Sequence, residues 1–193
     1  MTERSDWESR YSERANDDRE RAPSQFLVEQ VPHLSGSRAL DVACGDGRHA
    51  LYLARRGWQV DAIDFAYPGL AQLHAAAQRE GRAVNALQAD LDAFPLPRER
   101  YDLVVNVRYL QRALFGALKA AVRRGGAVVF ETFIRDQQQL GHPRNPAFLL
   151  ERGELAAQFG DFDVVFYEEG HFVTETGPAF LARLLARRRS GNP

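Results

Sequence analysis

The feature that most constrains this chain is a short apolar strand that runs into an acidic residue and then into a turn with two glycines. The stretch is ALDVACGDGR at residues 39–48, and a helical pattern follows it at once. Glycines let backbone N–H groups approach a ligand without a Cβ in the way. The helix start behind them offers unpaired N–H groups and a partial positive charge. The turn is therefore either a structural link or a ligand-binding loop.

A second acidic strand end follows and favours the ligand-binding interpretation. Residues 58–65 form an apolar strand pattern with Asp64 near its end, 19 residues beyond Gly45. That spacing is close to the one at which an acid accepts hydrogen bonds from ribose hydroxyls in doubly wound folds. Residues 45–50 also fit the dinucleotide pattern, with alanine in the last place. A nucleotide ligand is thus favoured over a structural turn, and an NAD-type ligand stays open at this point.

Composition bounds the remaining classes of function. The chain has 193 residues, 45% hydrophobic and 26% charged, which is typical of one globular domain. Its net charge of −1 argues against nucleic acid as a partner. Residues 2–22 lack the apolar core of a signal peptide, and no apolar run reaches the roughly 18 residues that span a membrane. The single cysteine, Cys44, fits a packed side chain better than a reactive thiol. We therefore expect a cytoplasmic protein with no membrane partner.

Strand and helix patterns alternate along most of the chain. Strands are predicted at residues 38–44, 59–63, 83–88, 101–107 and 127–133, and helices at 25–31, 48–56, 69–80 and 111–123. For the last helix, the pattern Arg-Arg-Gly-Gly at 123–126 is typical of a helix end. This alternation predicts a parallel sheet covered on both faces, with a ligand site at the carboxyl ends of the strands. Four polar residues fall at such ends: Asp41, Asp64, Asp90 and Asn106.

The two ends of the chain depart from this rhythm. A helix near 153–159 precedes two strand patterns, 162–168 and 179–186, which predict an antiparallel pair at the sheet edge. We expect one domain over residues 25–189. Residues 1–24 form a polar extension in which Trp7 and Tyr11 are spaced to share one helical face. A frayed terminus and a lid over a ligand are equal alternatives for that extension.

The chain resembles class I S-adenosylmethionine-dependent methyltransferases over residues 7–188, and is most similar to the branch of the tellurite-resistance methyltransferases. Residues 41–48 are similar to the first motif of the family, which has glycine where Ala43 stands. Gln88-Ala89-Asp90-Leu91 is similar to the motif that contacts adenine, and residues 101–106 to the motif of the fourth strand. The resemblance implies a doubly wound, Rossmann-like α/β fold. Its seven-stranded sheet has the order 3-2-1-4-5-7-6 with an antiparallel closing strand and helices on both faces.

The resemblance also implies S-adenosylmethionine as cofactor, S-adenosylhomocysteine as product, and roles for particular residues. Gly45 and Gly47, with the backbone of Ala43 and Cys44, would carry the methionine end, which Asp41 would orient. Asp64 would accept from the ribose hydroxyls. The adenine would contact Phe65, Asp90 and the N–H of Leu91. Asn106 would offer its carbonyl to the amino acid moiety, and Arg48 would pair with a carboxylate, either that of the cofactor or Asp46.

The acceptor side is less determined by the sequence. A long loop follows the fifth strand, and the candidates for acceptor contact or proton transfer are Tyr109, Glu131, His142 and Arg144. Each has a structural alternative, such as a helix cap for Glu131 or an ion pair for Arg144. The five histidines show no spacing typical of a metal site, so no metal is expected. We expect a small-molecule acceptor. A cofactor-binding protein without catalysis and an NAD-dependent oxidoreductase are the alternatives, and the oligomeric state is not indicated.

Overall fold

The sheet of this protein has seven strands in the order β3-β2-β1-β4-β5-β7-β6. The computed structural model describes residues 22–191. The strands are β1 Arg38–Val42, β2 Gln59–Asp64, β3 Val84–Gln88, β4 Tyr101–Val107, β5 Val122–Phe133, β6 Asp163–Thr174 and β7 Gly177–Arg187. The α-helices are α1 Gln25–Gln30, α2 Arg48–Arg55, α3 Tyr67–Arg79, α4 Phe115–Ala121 and α5 Glu154–Gln158.

Strand direction confirms the predicted architecture. β1 to β5 pair in parallel, while β7 runs antiparallel to both β5 and β6. The register pairs Val42 of β1 with Ile63 of β2 on one side and with Asn106 of β4 on the other. The carboxyl ends of these strands therefore meet at one edge of the sheet, where the polar residues at the strand ends are expected.

The hydrophobic core lies on both faces of the sheet because the central strands have no solvent-facing side. Every residue of β4 is buried. One face packs against α1, α2 and α3, with Phe26 and Leu73 in its core. The other packs against α4 and α5, with Phe115, Phe130 and Phe159 in contact with one another. Burial on both faces is typical of parallel sheets and rigidly fixes the edge that carries the polar residues.

The fourth helix ends earlier than its sequence pattern predicts. It stops at Ala121, and residues 123–126 belong to β5. The pairing with β4 jumps from Tyr101–Val122 to Leu103–Ala127, so these residues form a bulge. Gly125 has φ +75°, and its N–H donates to the carbonyl of Arg188. The two glycines thus serve a strand bulge rather than a helix end, because pairing with β4 and β7 overrides the local pattern.

Two predictions about the ends of the chain stay predictions. The aromatic pair Trp7 and Tyr11 lies outside the described residues, so the lid stays a prediction, as does the domain boundary. Within residues 22–191, no helix is long and apolar enough to cross a membrane.

Candidate active site

The loop between β1 and α2 has three residues in the left-handed backbone region. Ala43, Gly45 and Gly47 have φ values of +53°, +58° and +78°. The N–H of Gly47 donates to the carbonyl of Cys44 at 2.9 Å, and the N–H of Cys44 donates to the carbonyl of Ile63 at 3.0 Å. These bonds hold the loop as a tight turn at the carboxyl ends of β1 and β2, as the sequence predicts.

Glycine is required in this region partly for packing. A Cβ on Gly47 would collide with the side chain of Leu73 on α3. A Cβ on Gly69 of α3 would lie 2.6 Å from the carbonyl oxygen of Gly45. The first turn of α3 therefore sits directly against the loop. This packing agrees with both the structural and the ligand-binding interpretation of the glycines. A loop that is fixed by α3 from behind presents a rigid backbone to a ligand.

Ala43 occupies a backbone position that favours glycine. A non-glycine residue in the left-handed region costs roughly 1–2 kcal/mol, because Cβ approaches the carbonyl oxygen. The difference from the family's first motif at this position is therefore more than a side-chain change. It leaves strain in the loop that a glycine would not have.

Asp41 is buried at the end of β1, with 1% of its surface exposed. Burial raises its pKa from the ordinary 3.8 to about 8, opposed by the backbone N–H of Ala50 and the charge of Arg48. The nearby charges of Asp64 and Asp46 raise that pKa further. One of its carboxyl oxygens, Oδ2, has no hydrogen-bond donor in the described part of the chain. A buried acceptor of this kind is suited to a ligand that brings a donor or a positive charge.

Asp64 accepts two backbone hydrogen bonds, one of them from the loop between β1 and α2. Its Oδ2 accepts from the N–H of Gly45 and its Oδ1 from the N–H of Ala66, both at 2.8 Å. Burial raises the pKa of this carboxyl, and the two N–H groups oppose that rise. A carboxylate has about four lone-pair sites, so these two bonds leave capacity for hydroxyl donors. Asp64 thus fixes the loop, and its contact with ribose stays a prediction.

Asp90 and Phe65 lie at the neighbouring strand ends. The N–H of Ala89 donates to the carbonyl of Asp64 at 2.9 Å, which carries the chain from β3 past the end of β2. The Oδ1 of Asp90 accepts from the N–H of Asp92 at 3.0 Å, so this side chain shapes the turn that contains Leu91. Phe65, half-buried, has its carbonyl bonded to the side chain of Gln88 at 3.0 Å. These contacts place the predicted adenine residues along one edge with Asp64.

Asn106 lies at the carboxyl end of β4, beside β1, and is 1% exposed. Its Nδ2 donates to the carbonyl of Tyr109 at 2.7 Å, while its Oδ1 has no donor among residues 22–191. Asp41 and Asn106 thus each hold a buried oxygen acceptor at adjacent strand ends. An ammonium group and sugar hydroxyls are donors of the kind that such acceptors bind, so the donor set fits the cofactor that the sequence implies.

The predicted acceptor residues separate into an inner and an outer group. Glu131 is fully buried and Tyr109 is half-buried, whereas His142 and Arg144 are exposed on the loop after β5. The carbonyls of His142 and Arg144 accept from Gln137 and Gln138, and Arg144 Nε donates to the carbonyl of Gly141. The acceptor roles of His142 and Arg144 stay predictions.

Tyr109 is held as a hydrogen-bond donor. Its hydroxyl donates to Oε1 of Gln111 at 2.6 Å, and Gln111 in turn contacts Asp92. Burial, with the charges of Asp92 and Asp64, raises the pKa of Tyr109 to about 12. The phenol therefore stays protonated at neutral pH and is unsuited to act as a general base.

Two arginines meet at Glu131, and the sequence analysis does not single them out. Arg108 Nε donates to Glu131 Oε1 at 3.3 Å, and Arg183 Nε donates to Oε2 at 2.8 Å. The hydroxyl of Ser24 also donates to Oε1, at 3.1 Å. Glu131 thus caps no helix. The available signal was the placement of the charges: Arg108 directly follows the buried strand β4, and Arg183 interrupts the apolar run at 179–186.

Arg48 has a partner other than the two that the sequence suggested. Its Nη1 donates to Glu175 Oε1 at 3.1 Å and to the carbonyl of Ala22 at 3.0 Å. The pair joins the first residue of α2 to the turn between β6 and β7, and each side chain has 13% of its surface exposed.

In residues 22–191, no group of three or more His, Cys, Asp or Glu side chains is arranged to hold a metal ion.

Comparison with known proteins agrees with this geometry. Residues 39–126 match the family described as methyltransferase domain. A malonyl-[acyl-carrier protein] O-methyltransferase of Enterobacter lignolyticus is 32% identical over 123 residues, 61% of this chain and 47% of that protein. A probable S-adenosyl-L-methionine-dependent methyltransferase, TehB of Haemophilus influenzae, is 24% identical over 177 residues, 84% of this chain and 61% of that protein.

The same fold occurs in a solved structure. The crystal structure of TehB from Haemophilus influenzae superimposes with a TM-score of 0.76 at 23% identity, over 95% of this chain and 67% of that one. The chain spans about half the length of the curated relatives that it matches first.

Proposed function

We propose that this chain, a homologue of the class I S-adenosylmethionine-dependent methyltransferases similar to TehB, transfers a methyl group to a small-molecule acceptor by in-line displacement. The observation that carries the proposal is the β1–α2 loop. Its backbone is left-handed at Ala43, Gly45 and Gly47, α3 fixes it from behind, and Asp41 and Asp64 flank it. The matched family over residues 39–126 covers the same elements.

The cofactor residues in this proposal are those of the strand ends. The loop backbone from Ala43 to Gly47 carries the methionine end, with Asp41 and the carbonyl of Asn106 as acceptors for the ammonium group. Asp64 accepts from ribose hydroxyls, and Phe65, Asp90 and Leu91 bind the adenine. When bound, S-adenosylmethionine supplies an electrophilic methyl group on a cationic sulfur.

The contribution of the protein is then mainly geometric. Holding donor and acceptor in line can supply about 7–11 kcal/mol of the barrier. The buried acids favour a cationic ligand, because a nearby positive charge stabilises the ionised form of Asp41 that burial disfavours. A general base is needed only for an acceptor that is protonated at neutral pH. Of the inner candidates, Glu131 is already bonded to two arginines, and Tyr109 is held as a donor.

The acceptor in this proposal is small and the protein cytoplasmic. The net charge of −1 and the single cysteine support these two statements. The name of the Enterobacter relative describes an O-methyltransferase. An oxygen acceptor is therefore a reasonable first class for a substrate panel, alongside nitrogen, sulfur and chalcogen acceptors.

Calorimetric titration with S-adenosylmethionine, S-adenosylhomocysteine and NAD tests the cofactor. We expect both adenosyl ligands to bind at micromolar concentration and NAD to bind far more weakly. Asp64→Asn should weaken binding, whereas Asp163→Asn, at an exposed residue of β6, serves as the matched control. Preference for NAD would refute the proposal. Binding of both adenosyl ligands without turnover over a broad acceptor panel would instead favour a non-catalytic binder.

A further inference from the structure

A buried charge cluster lies at the carboxyl ends of β4 and β5 and in the middle of the antiparallel β7, on the face of the sheet that α1 covers. Glu131, with no exposed surface, bonds one carboxylate oxygen to Arg108 and the other to Arg183. The side chains of Arg108 and Arg183 have 15% and 11% of their surface exposed to solvent. We call these three residues the arginine cluster.

The arginine cluster carries an excess positive charge. Two guanidinium groups share a single carboxylate, so one positive charge is not balanced within the cluster. Arg48 and Glu175 lie near enough to influence the pKa of Arg108, but they are paired with each other. Burial lowers the pKa of Arg108, because little water surrounds its charge. An arginine stays protonated even so, and an anion is the ligand that balances it.

Arg108 also has a donor with no acceptor. Its Nη2 is buried and has no hydrogen-bond partner among the residues that the structure describes. Leaving a buried donor unsatisfied costs about 1–3 kcal/mol, and more for a charged group. Neither of the two arginines uses more than Nε in its bond to Glu131. The terminal nitrogens, which bind carboxylates in pairs, remain for a ligand.

Aromatic rings hold both guanidinium groups in place. That of Arg108 lies over the ring of Phe133, 4.7 Å from its centroid. That of Arg183 lies 3.9 Å from the centroid of Phe172 and 5.8 Å from that of Phe26. Stacking and the bonds to Glu131 fix the groups before any ligand arrives, which reduces the entropy lost on binding. The rings also give the neighbourhood an apolar character.

The cluster lies on the edge of the sheet that carries the cofactor loop. Arg108 directly follows β4, which pairs with β1, and its N–H donates to the carbonyl of Glu131 at 2.7 Å. Arg48, which begins the helix after the glycine loop, acts on the pKa of Arg108. A group bound at Arg108 is thus close to the methionine end of the proposed cofactor site.

We propose that Arg108 and Arg183 bind a carboxylate of the methyl acceptor, whose apolar part lies against Phe133 and Phe172. This inference rests on the proposed function and adds the substrate class: a small carboxylic acid with an aromatic or aliphatic body. The arginines position the acceptor, and the methyl group goes either to the carboxylate itself or to another atom of the same molecule.

Two probes of nearly equal shape test whether the arginine cluster selects a negatively charged ligand. Benzoate and the neutral benzamide are titrated by calorimetry into the full chain saturated with S-adenosylhomocysteine. We expect benzoate to bind about tenfold more tightly, since hydrogen bonds to a charged group are worth about 1.5–3 kcal/mol. Arg108→Gln should abolish that preference, and Arg189→Gln, which removes an exposed pair with Asp163, should retain it. Equal binding of the two probes to the unmodified protein would overturn the proposal.

Two further arms identify the source of the anion. If Arg108 binds the carboxylate of the cofactor, Arg108→Gln will weaken S-adenosylhomocysteine but not methylthioadenosine, which has no carboxylate. If the site takes an inorganic oxyanion, selenite will bind and benzoate will not. Either result overturns the acceptor assignment while the proposed function stands. Failure of S-adenosylhomocysteine to bind the unmodified protein would instead refute the proposed function.

Folding of the variants is followed by circular dichroism. Should Arg108→Gln not fold, Arg108→Lys keeps the charge but loses the two-pronged donor geometry. We then expect benzoate still to be preferred over benzamide, with an affinity several-fold below that of the unmodified protein. An unchanged affinity for benzoate in Arg108→Lys would contradict two-pronged binding by this residue.

Discussion

Burial of Asp41 makes the stability of this protein depend on pH in a direction that can be worked out. The pKa of this carboxyl is about 8 in the folded protein and about 3.8 when exposed. Between those values the folded state holds a proton that the unfolded chain releases. Stability therefore falls as the pH rises from about 4 to about 8. Asparagine at this position has the same shape and does not titrate, so Asp41→Asn removes this dependence.

The size of the effect follows from the pKa difference. One pKa unit corresponds to about 1.4 kcal/mol, so the full shift corresponds to about 6 kcal/mol. Water entry and relaxation around the carboxylate reduce that limit, because the effective dielectric constant of real sites exceeds that of a dry interior. We therefore expect Asp41→Asn to gain about 2–4 kcal/mol over the unmodified protein between about pH 5 and about pH 8.

Urea unfolding of both proteins at several pH values measures this difference. The free energy of unfolding of Asp41→Asn, minus that of the unmodified protein, should rise steadily across the range. Asp163→Asn, at a largely exposed carboxylate, controls for general effects of charge removal. A difference that stays constant with pH would refute the claim that burial suppresses the charge of Asp41.

Three other substitutions probe the site. Ala43→Gly should stabilise the chain by about 0.5–1 kcal/mol in urea unfolding, since glycine relieves the left-handed strain but costs backbone entropy; a loss of stability would contradict the strain. Glu131→Gln should lower the free energy of unfolding by about 3–5 kcal/mol, because two buried arginines lose their counterion; a loss below about 1 kcal/mol would show that they are hydrated. Tyr109→Phe should leave the shape of the pH–rate profile unchanged between about pH 7 and about pH 9, because the phenol does not ionise there; a lost alkaline limb would assign it an acid–base role.

The alternation of strands and helices and the positions of the acids could be predicted because they depend on local patterns, whereas the sheet order was implied by the resemblance to a family. Asp41 and Asp64 each end a short apolar run, and parallel strands bring such ends to one edge whatever the details of packing. The closing antiparallel pair followed from two strand patterns with no helix between them. The structure confirms these predictions because each strand or helix is indicated by a pattern within a few adjacent residues.

The arginine cluster could not be predicted, because no local signal joins its members. Glu131 and Arg183 are 52 residues apart and meet through the antiparallel register of β5 and β7. Arg48 and Glu175, 127 residues apart, meet through the length of the β6–β7 hairpin. A shift of one residue in the register between β5 and β7 would turn the side chain of Arg183 to the opposite face of the sheet. Side-chain partners of this kind follow from the assembled sheet and not from composition or spacing.

The place of β7 in the sheet bears on how the chain is made. β7 follows both β5 and β6 in the sequence, yet it lies between them in the sheet. Until residues 177–187 emerge, the nascent protein presents the unpaired backbone of β5, an apolar strand that invites pairing with other chains. Chains that stop at residue 176 should therefore sediment as aggregates rather than monomers.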